Sequence, residues 1–292
     1  MDFTGSMTAL VTPFKDGKVD ETALRALVKR QVDGGTTAIV PVGTTGESPT
    51  LDTAEADRVI SIVIEESKGK VKVIAGTGSY DTRASVARSK WAKQAGADAV
   101  LIVCPYYNKP GQQGIYLHFK AIAEEAGLPV VVYTIPGRSV VNITPDTIAK
   151  LAQVPGIAAV KEASGSLAQM SEIIAACGDK ISVLSGDDQL TLPLMALGGK
   201  GVISVASNII PRAMADLVAA GLQGDFLAAR TIHYKYQELF KSLMLETNPI
   251  GIKWAVSKLG WCGPEIRLPL TPFEAVNAAK LEAAMRGIGL VA

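Results

Sequence analysis

Lys161 carries the most pointed chemistry in this sequence. It follows the apolar run Ile157–Val160, so it closes a stretch that reads as a buried β-strand. A lysine there is costly to keep charged, because low-dielectric surroundings disfavour the ammonium form. An unperturbed lysine titrates near ~10.4, and freeing much of its amine at neutral pH takes about 4 kcal/mol of desolvation. A free amine can attack a ketone carbon and form an imine. The competing reading is a structural lysine paired with Glu162 or another carboxylate, and position alone leaves the two level. Lys72 and Lys200 also flank strands, but at the N-terminal end, where charge meets solvent.

Other polar residues also fall just after apolar runs. Thr44 and Thr45 lie in a turn bounded by Gly43 and Gly46, where backbone amides and hydroxyls can approach a small carboxylate. Taken without context, a turn that needs glycine and nothing more is the better reading. Tyr133 ends the run before Lys161's, and a phenol there can move protons; the alternative is a core tyrosine with a bonded hydroxyl. Arg138 follows in Ile135-Pro136-Gly137-Arg138-Ser139, where a guanidinium suits a second carboxylate or a surface ion pair. Tyr106-Tyr107 and Ser185-Gly186-Asp187 close two further runs. The two histidines, His118 and His233, fall in helical stretches and form no ligand-spaced cluster, which disfavours metal sites and Ser-His-Asp hydrolysis.

Positioning these groups calls for a repeated βα unit. Strands are expected at Met7–Val11, Thr36–Val42, Val71–Ala75, Ala99–Cys104, Pro129–Tyr133, Ile157–Val160, Ile181–Leu184 and Gly201–Val205. Most are apolar on both faces, as parallel strands covered on both sides are. Helices are expected between them, with Asp20 and Asp52 as N-caps and Gly96 and Gly127 as C-caps. One such helix is expected over Gln189–Leu197. Eight such units predict an α/β fold, a (β/α)8 TIM barrel with a C-terminal helical appendix. Gly76-Thr77-Gly78 lacks the third glycine of a dinucleotide fingerprint and follows the third strand, which argues against an open sheet of that class. Residues 1–224 read as the barrel. Residues 225–292 read as helices without intervening strands, over Asp225–Met244, Pro249–Leu259 and Phe273–Arg286. Active sites of such barrels lie at the C-terminal ends of the strands, where Thr44, Thr45, Tyr106, Tyr107, Tyr133, Arg138, Lys161 and Ser185–Asp187 fall.

Composition narrows the class further. Hydrophobic residues make up 48% of the 292, enough for a large core. With 29 Lys and Arg against 28 Asp and Glu, no basic excess marks a nucleic-acid surface. Cys104, Cys177 and Cys262 are too few and too scattered for a disulfide framework. No apolar run reaches the ~18 residues that span a bilayer, and no signal peptide is visible, so the expectation is a soluble cytoplasmic protein without membrane partners.

Four segments together resemble the dihydrodipicolinate synthase family of the pyruvate-dependent class I aldolases. They are Gly43-Thr44-Thr45-Gly46-Glu47-Ser48, Pro105-Tyr106-Tyr107-Asn108-Lys109-Pro110, Tyr133 with Ile135–Arg138, and Val160-Lys161-Glu162. The likeness runs from Thr8–Phe14 to the helical tail. It implies a lyase that condenses pyruvate with L-aspartate-4-semialdehyde, the first committed step towards diaminopimelate and lysine. Lys161 is then the Schiff-base nucleophile, and Tyr133, Thr44 and Tyr107 form a hydroxyl relay, Tyr107 reaching in from a neighbouring subunit. Thr45 holds the pyruvate carboxylate, Arg138 binds the semialdehyde carboxylate, and the backbones of Gly186 and Ile203 line the pocket. The resemblance implies no external cofactor, since the lysine is the electron sink, and a homotetramer built as a dimer of dimers.

The nearest alternative is a sugar-acid lyase of the same superfamily, such as one acting on N-acetylneuraminate; Arg138 speaks against it. A non-catalytic keto-acid-binding barrel would leave the hydroxyls around Lys161 without a purpose. Lysine-inhibited members bind lysine near Ser48, Pro49, Thr53, Ala56, Tyr80, Ala84 and Tyr106. Here Thr53, Ala56, Tyr80 and Ala84 replace the polar groups of sensitive members, so weak or absent feedback is expected. Thr134 stands where asparagine is usual, with no expected change in chemistry.

Overall fold

The computed structural model describes residues 3–292. Eight parallel strands close into a barrel in chain order: β1 (Gly5–Ala9), β2 (Ala38–Val40), β3 (Lys72–Gly76), β4 (Ala99–Val103), β5 (Val130–Thr134), β6 (Ile157–Glu162), β7 (Ser182–Ser185) and β8 (Gly201–Ser204), with β8 pairing β1. Helices α1 (Glu21–Asp33), α2 (Thr53–Ser67), α3 (Thr82–Ala95), α4 (Gln112–Ala126), α5 (Pro145–Leu151), α6 (Leu167–Cys177), α7 (Thr191–Ala196) and α8 (Pro211–Leu222) follow the strands in turn. Three more, α9 (Phe226–Ser242), α10 (Ile250–Lys258) and α11 (Ala275–Gly287), complete the chain. This is the expected (β/α)8 barrel with C-terminal helices.

The local signals act as their chemistry requires. Asp20 accepts from the Ala23 amide at 3.0 Å, and Asp52 with Glu55 closes a reciprocal capping box on α2. Gly96 and Gly127 end α3 and α4 with left-handed φ of 101° and 66°.

The elements also depart from expectation in ways that matter for the site. β2 stops at Val40 instead of Val42, because Pro41 precedes a Val42 held at φ 56°. β1 lies at Gly5–Ala9, two residues earlier than expected. β6 runs past Val160 to Glu162, so Lys161 is a strand residue and not the first residue of a loop. Arg138 lies in a helical turn, Pro136–Ser139, where a loop was expected. The helix expected over Gln189–Leu197 starts as a 3-10 turn, Asp188–Leu190, before α7.

Alternation along the strands sorts side chains between two cores. Met7, Ala38, Val40, Ile74, Ala99, Leu101, Val131, Tyr133, Ala159, Leu184 and Ile203 pack together inside the barrel. Their neighbours Ile39, Val73, Val100, Val130, Val132 and Val160 face the helices. Lys161 shares the inward parity of Ala159, and Glu162 shares the outward parity of Val160. Burial of these two shells holds the barrel closed, at roughly 1.5–3 kcal/mol per large apolar side chain.

Candidate active site

Strand register brings the principal groups together. Tyr133 on β5 is the direct lateral partner of Lys161 on β6, and both point inward. The Lys161 amine lies 4.3 Å from the centroid of the Tyr133 ring. Lys161 is 5% exposed, and burial pulls its ammonium down to about 8; the Arg138 charge pushes in the same direction, while Asp188 opposes it. Burial pushes the Tyr133 phenol up to about 12, against the Arg138 charge and a hydrogen bond with Thr44, so the phenol keeps its proton. The outward parity of Glu162 excludes the structural pairing with Lys161. Its carboxyl accepts from the Ser164 amide at 3.1 Å and from Gln169 Nε2 at 2.9 Å on the helix side, and burial raises its proton affinity. Thr134 also points outward, donating to Asn142 Oδ1 at 3.2 Å, so its replacement of asparagine does not touch the barrel interior.

A cleft of about 410 Å³ opens over Lys161, bordered by Thr44, Thr45, Tyr133, Arg138, Gly186 and Asn248. A smaller cavity of about 210 Å³ adjoins it, sharing Thr44, Tyr133 and Arg138. The Gly43–Ser48 turn is tied into a compact knot: Gly46 and Ser48 donate to the Gly43 carbonyl, and the Thr12 hydroxyl donates to the Gly46 carbonyl at 2.7 Å. Gly186 is a steric requirement. A Cβ there would stand 2.6 Å from Ala163 Cβ and 3.2 Å from Lys161 Cε, so any side chain would push against the lysine.

Arg138 is exposed at the rim, donating through Nη2 to the Asn248 carbonyl at 2.7 Å and to Thr247 Oγ1 at 3.1 Å. Its remaining donors are available for a carboxylate. Ile203 is fully buried in the barrel core and borders neither cavity; Val205, two residues on, borders the cleft instead. Tyr107 is 88% exposed with φ 65° and likewise borders neither cavity. Within one chain the geometry therefore gathers Lys161, Tyr133, Thr44, Thr45, Arg138 and Gly186, and leaves Tyr107 and Ile203 outside.

Two contributors had no signal in the sequence. Asn248 donates through Nδ2 to Thr45 Oγ1 at 3.0 Å across 203 positions. Asp188, 3% exposed, accepts through Oδ2 from the amides of Val205 at 3.2 Å and Ala206 at 2.8 Å, and burial pushes its carboxyl up to about 6. Asn248 sits in an ordinary polar connection. Asp188 sits beside Asp187, in a pair that reads as a helix start.

Comparison with known proteins agrees with this geometry. The model of the dihydrodipicolinate synthetase family matches residues 2–287. A 4-hydroxy-tetrahydrodipicolinate synthase of Geotalea uraniireducens is 52% identical over 99% of this chain and 100% of its own. Among solved structures, dihydrodipicolinate synthase from Aquifex aeolicus is 50% identical and superposes with a TM-score of 0.97 over 99% of both chains. The chloride-inhibited dihydrodipicolinate synthase from Acinetobacter baumannii, solved with pyruvate, is 42% identical with a TM-score of 0.97 over 99% of both chains. A buried lysine beside a tyrosine at the mouth of a closed barrel, and identity of this extent along its whole length, place this chain in the dihydrodipicolinate synthetase family.

Proposed function

We propose that this enzyme works through a Schiff base between Lys161 and pyruvate, assembled in the cleft over β5 and β6. The activity is that of a 4-hydroxy-tetrahydrodipicolinate synthase, a lyase, with pyruvate and L-aspartate-4-semialdehyde as substrates. The single observation that carries the mechanism is a buried lysine at the catalytic end of β6, its ammonium pulled down to about 8, with Tyr133 beside it.

The free amine of Lys161 attacks the ketone carbon of pyruvate, and the carbonyl oxygen leaves as water. The protonated imine withdraws electrons, so the adjacent methyl loses a proton and becomes an enamine. That carbon attacks the aldehyde carbon of the semialdehyde, and the new alkoxide takes up a proton. The substrate's own amine then attacks the imine carbon, closing the ring and expelling the Lys161 amine. Tyr133, with its phenol held protonated, delivers and recovers protons, and Thr44 is its hydrogen-bonded neighbour in the relay. Thr45 and the turn amides hold the pyruvate carboxylate, and Arg138 holds that of the semialdehyde. Gly186 keeps the wall beside the lysine open.

The relay needs a third hydroxyl, which Tyr107 of a neighbouring subunit supplies in a dimer of dimers; the 88% exposure of Tyr107 supports this. Residues 1–224 serve as the catalytic barrel and residues 225–292 as a helical region reaching its mouth through Asn248. The enzyme acts in the cytoplasm; among the described residues no helix is long and apolar enough to cross a membrane. The test is borohydride reduction in the presence of pyruvate, followed by sequencing of the labelled peptide. Label on Lys161 is the expected result, and label elsewhere or none overturns the mechanism.

A further inference from the structure

Lys253, on α10, is 1% exposed and borders neither cavity. Its amine pairs with Oε1 of Glu47, which is 2% exposed, and lies 3.9 Å from the centroid of the Phe14 ring. The other Glu47 oxygen accepts from the Arg267 amide at 3.1 Å, so both carboxylate oxygens are committed to the C-terminal region. Glu47 is also the residue that bears the conformational cost of the Gly43–Ser48 turn. Its φ is 55°, a left-handed backbone that disfavours a side chain by about 1–2 kcal/mol, and its amide donates to the Thr44 carbonyl at 3.1 Å. Without the anchor on its carboxylate, Glu47 would be held in that conformation by backbone hydrogen bonds of the turn alone. Thr44 and Thr45 would move with any change in the turn, because they lie inside it.

We infer that Lys253 is a positioning residue for the pyruvate carboxylate: it anchors Glu47 and thereby holds Thr44 and Thr45 at the cleft. A buried ion pair stabilises a fold little more than an apolar pair of the same volume. What the pair adds is direction, since Lys253 and the Arg267 amide fix the Glu47 carboxylate from two sides. Asn248, on the segment leading into α10, fastens the same turn through the Thr45 hydroxyl. The carboxylate turn of the barrel is thus held from outside the barrel. This inference rests on the reading of that turn as the pyruvate carboxylate site.

The test is the double variant Glu47→Gln/Lys253→Met, which removes both charges together and so leaves neither buried alone. It is expected to fold with a thermal midpoint near that of the parent. The pyruvate concentration that half-saturates borohydride trapping of Lys161 should rise about tenfold, as should the pyruvate KM, as for a lost hydrogen bond to a charged group. The semialdehyde KM should shift less, by about twofold at most, since Arg138 reaches the turn only indirectly, through the Asn248 carbonyl. A double variant with parental pyruvate dependence would reduce the pair to charge balance and overturn the inference. Should the double variant not fold, Glu47→Asp shortens the same anchor by one methylene with the charges kept. It should raise the pyruvate KM, and an unchanged KM would overturn the inference as well. If Lys161 of the parent enzyme is not trapped at all, the functional reading fails; trapping of the parent with unshifted variants fails only the anchor.

Discussion

Lys161 and Lys253 are almost equally hidden from water, and burial lowers the proton affinity of both, yet they are built for opposite uses. Lys253 meets the Glu47 carboxylate and the face of Phe14, so its charge is compensated and its position fixed. Lys161 makes no ion pair among the described residues; it faces an open cleft and a tyrosine ring. With its ammonium at about 8, roughly one Lys161 amine in ten is free at pH 7, against about one in three thousand for an ordinary lysine. Burial alone does not make a nucleophile. Burial without a carboxylate partner, next to an open cleft, is what sets Lys161 apart.

The sharpest way to break this contrast is covalent trapping. Lys161→Ala should abolish turnover and pyruvate trapping completely, while Lys253→Ala should still be trapped on Lys161. Label on Lys253 in any variant would reverse the assignment. Stability should separate the two lysines next, and in opposite directions. Lys161→Met removes an uncompensated buried charge and should raise the thermal midpoint at pH 7, by up to about 3 kcal/mol of stability. Lys253→Met strands the Glu47 carboxylate and should cost about 3–5 kcal/mol. Shifts of the same sign in thermal denaturation would show that the pairing difference carries no energetic weight.

Arg138 sharpens the picture of what surrounds Lys161. Arg138→Ala should lower kcat/KM for the semialdehyde about 100-fold, with a much smaller effect on pyruvate, as expected when a charged carboxylate contact is lost. Equal losses for both substrates in steady-state kinetics would remove its assigned role.

The pH profile tests the electrostatics directly. In the proposed mechanism the reactive form is the free amine, so kcat/KM should climb as pH rises, pass half its plateau near 8 and level off above that. The Arg138 charge lowers the lysine's proton affinity, so Arg138→Ala should move that limb to higher pH. The Asp188 carboxylate raises it, so Asp188→Asn should move the limb to lower pH. A limb unmoved by both variants would leave desolvation as its only cause.

The smallest effect is expected from L-lysine. Ser48, Pro49, Thr53, Ala56 and Tyr106 line a hollow beside the smaller cavity, and its cation, Arg88, is paired with Asp57. Neither Ala56 nor Ala84 supplies a polar group there, so initial rates should change by less than about twofold at low-millimolar lysine. A clear fall would show that other groups hold the effector.

Strand and helix identity, the closed barrel and the catalytic end of Lys161 were legible in the sequence, because they follow from short-range rules. Apolar runs of strand length, acidic N-caps and glycine C-caps act within a few residues. The inward parity shared by Tyr133 and Lys161 follows from alternation once the strands are named. The burial of Lys253 is not legible in the sequence, because it lies inside a helix, where a lysine ordinarily faces water. Its burial depends on Glu47 and Phe14, more than two hundred residues earlier.

Residue order therefore determined which elements form and which groups reach the barrel mouth, since propensity, capping and alternation are local. Tertiary structure alone decided which buried lysine is left unpaired. It also decided that Glu162 turns away from Lys161 and that the C-terminal segment contacts the Gly43–Ser48 turn through Asn248, Lys253 and Arg267. The physical reason is that desolvation and charge pairing depend on what surrounds a group in space, and chain closure sets those surroundings.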